Sequence, residues 1–149
     1  MSKNKLNRFA QIKEYPHVHE PPLKDLQKGY FLRGKWNKDF FKNNNPLVLE
    51  LGCGKGEYSV GLAERYPEKN FIGVDIKGAR IWQGATDSLK KGINNVGFLR
   101  IRIDWIEYCF SNNEIDEIWI TFPDPQIKKR RARKRLTHPD FLNKYKKIL

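Results

Sequence analysis

Between residues 46 and 122 the hydrophobic pattern switches repeatedly between strand and helix period, and no other feature narrows the fold as much. Residues 46–51 (PLVLEL) are a short apolar run between turn residues, as expected of a buried strand. Residues 57–66 carry Tyr58, Leu62 and Tyr66 at helical spacing. Residues 70–76 (NFIGVDI) return to the strand pattern. Residues 77–91 put Ile81, Ala85 and Leu89 on one helical face, and Gly92 follows as a stop. A third strand is predicted over 96–103. Asp104 then opens a short helix with Trp105, Tyr108 and Cys109 inward, and a fourth strand covers 116–122 (DEIWITF). Thr137 predicts the N-cap of a last helix with Phe141, Leu142, Tyr145, Ile148 and Leu149 as its apolar stripe. Alternating strands and helices imply right-handed crossovers and a parallel sheet, an α/β fold. Ligands of such sheets bind beyond the C-terminal ends of the strands.

Residues 1–45 read as a basic N-terminal extension to a domain over 46–149. Tyr15-Pro16, Glu20-Pro21-Pro22 and Lys28-Gly29 make residues 1–30 look weakly structured. A short helix over 34–43 would bury Trp36, Phe40 and Phe41. The net charge of +12 is uneven: ten basic against four acidic residues in 1–45, nine against twelve in 46–125, and ten against one in 126–149. An acidic centre between basic arms suits a polyanionic partner, although a basic run can also be merely solvated. Cys53 and Cys109 are too few for a disulfide framework or a four-cysteine zinc site. His17 and His19 lack further ligands at metal spacing, so no metal is expected. No apolar run approaches the ~18 residues of a membrane span, and no secretory signal opens the chain. A cytoplasmic protein without a membrane partner is expected.

The strand ends carry the chemistry. Glu50 stands two residues before Gly52-Cys53-Gly54-Lys55-Gly56, a GxGxG loop that differs from both the dinucleotide GxGxxG and the P-loop. A carboxylate at that place repels a pyrophosphate and attracts an ammonium or sulfonium group. Asp75, 23 residues beyond Gly52, ends the second strand, where an acid accepts from ribose hydroxyls or simply closes a turn. Asp104 ends the third strand, placed for an adenine amino group or as a helix N-cap. Glu50, Gly52, Gly54, Gly56, Asp75 and Asp104 together predict an adenosine without phosphates and with a cationic tail, which is S-adenosylmethionine. The fourth strand ends in Phe122-Pro123-Asp124-Pro125. Two prolines hold Asp124 in extended geometry beside the run from Lys128 to Arg135, which points to nucleic acid.

The segments LELGCGKGEYSV, FIGVDIKGARIWQGA and ITFPDPQIKKRRARKRLTHPDFL together resemble the bacterial tRNA (guanine-N7-)-methyltransferase family over roughly residues 25–149. The resemblance implies a Rossmann-like S-adenosylmethionine-dependent methyltransferase fold, with four of the usual seven strands present in strand order 3-2-1-4-5-7-6. It implies methyl transfer to N7 of a guanosine in the variable loop of tRNA. Glu50, Asp75 and Asp104 resemble the family's cofactor-binding acids. Asp124 resembles the acid shared by the cofactor pocket and the catalytic site. Lys128 resembles a substrate-binding lysine, with Arg130 and Arg133 beside it as further RNA contacts. The sequence departs from the family at Gln126, where Trp is usual, and at Asp75, where Glu is usual. It ends at Leu149 without the family's later strands and T-x-x-E segment, so a fragment is expected, with strand 116–122 left as a sheet edge that invites self-association. Two other readings stay open: a non-catalytic RNA-binding fragment, and a methyltransferase acting on another RNA or on protein. The oligomeric state, monomer or homodimer, is also open.

Overall fold

The computed structural model describes residues 2–121 and 123–149. A parallel sheet of five strands, in the order β1-β4-β3-β2-β5, forms its centre. The strands are β1 (Val18–His19), β2 (Leu47–Leu51), β3 (Asn70–Asp75), β4 (Val96–Arg100) and β5 (Glu117–Ile120). All five residues of β2 are buried, the signature of a strand covered on both faces. Leu47, Leu49, Leu51, Ile72 and Val74 share one core layer with Trp36, Phe110 and Phe141, Tyr145 and Ile148 of helix α6 (Pro139–Ile148). Val48, Phe71 and Phe98 face the opposite layer. There they meet Val60 and Ala63 of α3 (Glu57–Arg65) and Ile81 and Ala85 of α4 (Gly78–Lys91).

The predicted class and the order of the four predicted strands are observed. The expectation of four strands is corrected to five, because β1 pairs with β4 through Val18↔Phe98 and His19↔Leu99. Residues 1–30 are likewise not weakly structured. Helix α1 (Lys3–Glu14) packs on α4, and α2 (Leu23–Gly29) follows β1. Ile12 is fully buried. Arg8 lies over the Trp82 ring at 4.5 Å, and Trp82 Nε1 donates to Gln11. His17 Nε2 lies 3.1 Å from both Ala85 O and Ser88 Oγ of α4.

Other boundaries shift. A π-helical turn, Trp36–Phe41, holds Trp36 fully buried, with its Nε1 donating to Cys109 O at 2.9 Å. In α3 the buried face is Ser59, Val60 and Ala63, while Tyr58 is exposed. In α4, Ser88 rather than Leu89 turns inward, and Gly92 closes the helix at φ 66°. Helix α5 (Ile106–Cys109) buries Ile106 and Cys109, with Tyr108 outward. The third strand ends at Arg100, short of the predicted 103. His138, not Thr137, caps α6: its Nδ1 accepts from Asp140 N at 3.1 Å. Strand β5 pairs with β2 along one side and leaves Trp119 exposed, so it is less buried than its composition predicts. The last residue of predicted strand 116–122, Phe122, lies outside the described residues.

Candidate functional site

The end of β2 runs into the glycine loop, which folds over the end of β3. Gly52 N and Cys53 N both donate to Val74 O, at 2.8 and 2.9 Å. Gly52, Gly54 and Gly56 all take positive φ, at 72°, 55° and 75°. A Cβ on Gly54 would meet nothing within 4 Å, so the loop presents open backbone there. Asp75 anchors this geometry with both carboxylate oxygens: Oδ2 accepts from Gly54 N and Oδ1 from Lys77 N, each at 2.9 Å. Each oxygen retains lone-pair capacity for a ligand hydroxyl.

Glu50 lies beneath the loop, only 4% exposed. Its Oε1 accepts from Ser59 Oγ at 2.7 Å and its Oε2 from Thr121 Oγ1 at 2.5 Å. Burial pushes its carboxyl above the usual range, and the two hydroxyl donors pull it back. Cys53 is buried as well. Burial pushes its thiol well above the ordinary value, with Asp75 and Glu50 adding to the shift, which disfavours the thiolate.

Two cavities meet at Gly52. One, of about 390 Å³, is lined by Asp75, Ile76, Ile103, Asp104, Leu136 and Phe141 among others. The other, of about 370 Å³, is walled by the loop with Lys55, Tyr58, Arg80 and Thr121. Asp104 lies in a 3₁₀ turn, Ile103–Trp105, and makes no capping bond, so the N-cap alternative falls away. Its Oδ2 instead accepts from Arg102 Nη2 at 2.6 Å. A larger cavity, about 600 Å³, is lined by residues from β1 to Phe31 and contains none of these acids. Open backbone, two carboxylates and apolar walls fit an adenosine-type ligand; the larger cavity also holds two carboxylates, Glu20 and Asp25, but no residue of the glycine loop lines it.

Asp124 sits apart from this pair. It lines a third cavity of about 320 Å³ with Pro125, Gln126, Ile127, Lys128 and Arg131. Arg130 and Arg133 are exposed on the following 3₁₀ segment, Lys129–Lys134, and line none of the three cavities. The structure thus groups Gly52, Gly54, Asp75 and Asp104, places Glu50 and Gly56 as supports behind them, and sets Asp124 with Lys128. Sequence reasoning missed Ser59, Thr121, Arg80 and Arg102. Of these only Thr121 carried a signal, its place at a strand end just before FPDP. Among the described residues, no group of His, Cys, Asp and Glu is arranged to hold a metal, and no helix is long and apolar enough to cross a membrane.

Residues 44–149 match the family described as "Putative methyltransferase". The chain belongs to that family. This methyltransferase-family chain is 56% identical over 149 residues to the tRNA (guanine-N(7)-)-methyltransferase of Christiangramia forsetii, covering 99% of itself and 66% of that protein. Against the protein of the same name from Bacteroides fragilis it is 56% identical over 150 residues, covering 100% of itself and 59% of the relative. The chain therefore spans 66% and 59% of the length of these two relatives. A solved variant of the 16S rRNA (adenine(1408)-N(1))-methyltransferase from Catenulisporales acidiphilia, with cosubstrate SAM, aligns at a TM-score of 0.56 and 19% identity. That alignment covers 69% of this chain and 50% of the other, and it shows a shared fold.

Proposed function

We propose that this chain is the cofactor-binding part of an S-adenosylmethionine-dependent methyltransferase that modifies N7 of a guanosine in tRNA. The observation that carries the reading is the pair of cavities meeting at Gly52, with Asp75 and Asp104 in one and the open loop in the other. The names of the relatives support the substrate, and the cosubstrate of the solved neighbour supports the cofactor. Such a substrate places the protein in the cytoplasm.

When bound, S-adenosylmethionine supplies a methyl group on a sulfonium, open to in-line attack by guanine N7, which has a lone pair and no proton. The protein therefore has to orient and dry the site rather than remove a proton. Asp75, already held by Gly54 and Lys77, accepts from ribose hydroxyls without reorganising. Asp104 accepts from an adenine amino group. Lys55 and Arg80, on the loop side, complement a carboxylate, and buried Glu50 supplies negative potential beneath the loop. Asp124 accepts from the N1 and N2 donors of guanine and offsets the positive charge that methylation leaves on the ring. Lys128, Arg130 and Arg133 neutralise tRNA phosphates.

Calorimetry with S-adenosylhomocysteine tests the cofactor half: saturable binding that Asp75→Ala weakens is expected, and no binding by the parent chain would overturn it. Nucleoside analysis of tRNA after incubation with S-adenosylmethionine tests the substrate half. The expected product is 7-methylguanosine, and a methyl group on any other base would refute it.

A further inference from the structure

Beyond Asp124 the backbone is tightly held while a large apolar side chain is displayed to solvent. Ile127 is 83% exposed, more than any other large apolar side chain among the described residues. The loop that carries it is not slack. Gln126 sits at φ 47°, in the left-handed region that residues with side chains avoid. Its N–H donates to Asp124 Oδ1 at 3.1 Å. Arg135 Nε donates to Gln126 O at 3.2 Å, and its Nη2 to Ile127 O at 3.4 Å. Arg135 belongs to the basic run, yet its guanidinium turns back onto the loop instead of outward. Strain of this kind persists only where surrounding structure over-determines it, and it clusters at functional sites.

The surroundings of Ile127 narrow what it meets. Lys128, Lys129, Arg130 and Arg131 follow it directly in the chain, and Asp124 lines the same cavity of about 320 Å³. That volume is at the lower end of the range for small-ligand pockets. A protein segment seated here would have to bring its own acids to meet four consecutive cations. A nucleic acid offers phosphates to the cations and apolar base faces to the isoleucine in one molecule.

We propose that Ile127 is a wedge: it enters the RNA base stack at the place vacated by the nucleotide that turns toward Asp124, and Arg135 is the positioning residue that holds it there. The inference rests on the RNA reading above and adds to it the residue that favours base extrusion. Taking a base out of its stack is unfavourable, and apolar side chains inserted between bases are a recurrent means of offsetting that cost. The clamp matters because a side chain on a mobile loop would lose its own freedom on insertion.

The test uses a tRNA transcript with 2-aminopurine in place of the variable-loop guanosine, whose fluorescence rises when the base leaves its stack. Affinity is measured first, by anisotropy on the same RNA. Ile127→Ser should bind within about threefold of the parent chain, because affinity is mainly electrostatic. The fluorescence rise per bound complex should fall at least about fivefold. Ile127→Leu should restore it. Arg135→Lys keeps the charge but not the planar fork, and should behave like Ile127→Ser. A full fluorescence rise with Ile127→Ser overturns the wedge, and is also the result expected if a protein segment covers Ile127. An affinity loss with the rise per complex unchanged overturns it too, making Ile127 an ordinary contact. Binding by the parent chain with no rise would do the same. Failure of the parent chain to bind the RNA at all would remove the RNA reading itself, and the wedge with it.

Discussion

Replacing Gly56 by Ala tests whether the glycine loop lies against α4 because a side chain is missing there. Gly56 has φ 75°, and a Cβ built on it would sit 2.8 Å from Cε1 of fully buried Phe98 and 3.2 Å from the Cα of Gly84. Left-handed backbone costs an L-residue about 1–2 kcal/mol. Overpacking against a ring in a filled core adds about 1–3 kcal/mol. Together they remove about 2–5 kcal/mol from a stability that for a domain is typically about 5–15 kcal/mol. At roughly 2–4 °C per kcal/mol for a chain near this length, Tm falls by roughly 4–20 °C. Gly54→Ala is the control. Its φ is 55°, but a Cβ there meets nothing within 4 Å, so only the backbone cost applies. Its expected drop is roughly 2–8 °C. Thermal melts followed by circular dichroism compare the two. If Gly56→Ala melts no lower than Gly54→Ala, the close approach to Phe98 and Gly84 does not constrain the loop, and the reasoning fails. Calorimetry on the same pair should show the reverse order for S-adenosylhomocysteine: the Gly54 methyl intrudes on the open side of the loop and weakens binding more.

Burial depresses the imidazoles of both His17 and His19, that of His19 to about 4 with the charge of His17 adding to the effect. Below the ordinary value of 6.5 the unfolded chain takes up protons that the folded chain does not. Stability present at neutral pH should therefore decline as pH falls from 6.5 toward 4, and a Tm that stays flat over this interval would refute it. Trp36→Ala empties a fully buried site and orphans the Cys109 carbonyl, which should cost about 3–5 kcal/mol in urea unfolding. A loss under about 1 kcal/mol would mean that the segment before β2 does not share the core. Replacing Lys128, Arg130 and Arg133 by Ala should lower the log–log salt slope of RNA binding by about 2–3 units, and an unchanged slope would make the segment a solvated run. In an active chain of the relatives' full length, Asp124→Ala should abolish methyl transfer while tRNA affinity stays nearly intact. Lost RNA binding with turnover per complex unchanged would remove Asp124 from the chemistry.

Much of the site was readable before any coordinates because residue type and spacing are local. A buried strand announces itself by its apolar run, and the polar residue that ends it falls at the ligand edge. That logic places Glu50, Asp75 and Asp104 at successive strand ends; the structure has Glu50 within β2, Asp75 at the end of β3 and Asp104 four residues past the end of β4. It also suffices for a parallel sheet, whereas the order of the four predicted strands is what the family resemblance implies.

What it misses depends on distant partners. Two residues have no period, so β1 is invisible until Val18 and His19 pair with β4 some 80 positions away. The inward face of α3 is set by Gly73, where a Cβ would come within 3.0 Å of Ser59 Oγ and Cys53 Sγ; the spacing of Tyr58, Leu62 and Tyr66 does not encode that contact. At the site, the letter E announces a charge at position 50, but only folding turns it beneath the loop toward Ser59 and Thr121, the latter 71 residues away. Arg135 reads as one more cation in a basic run, yet two carbonyls turn its guanidinium inward. Residue letters specify charge, size and local period; the direction in which a charge points is set by hydrogen bonds between segments that meet only when the sheet has formed.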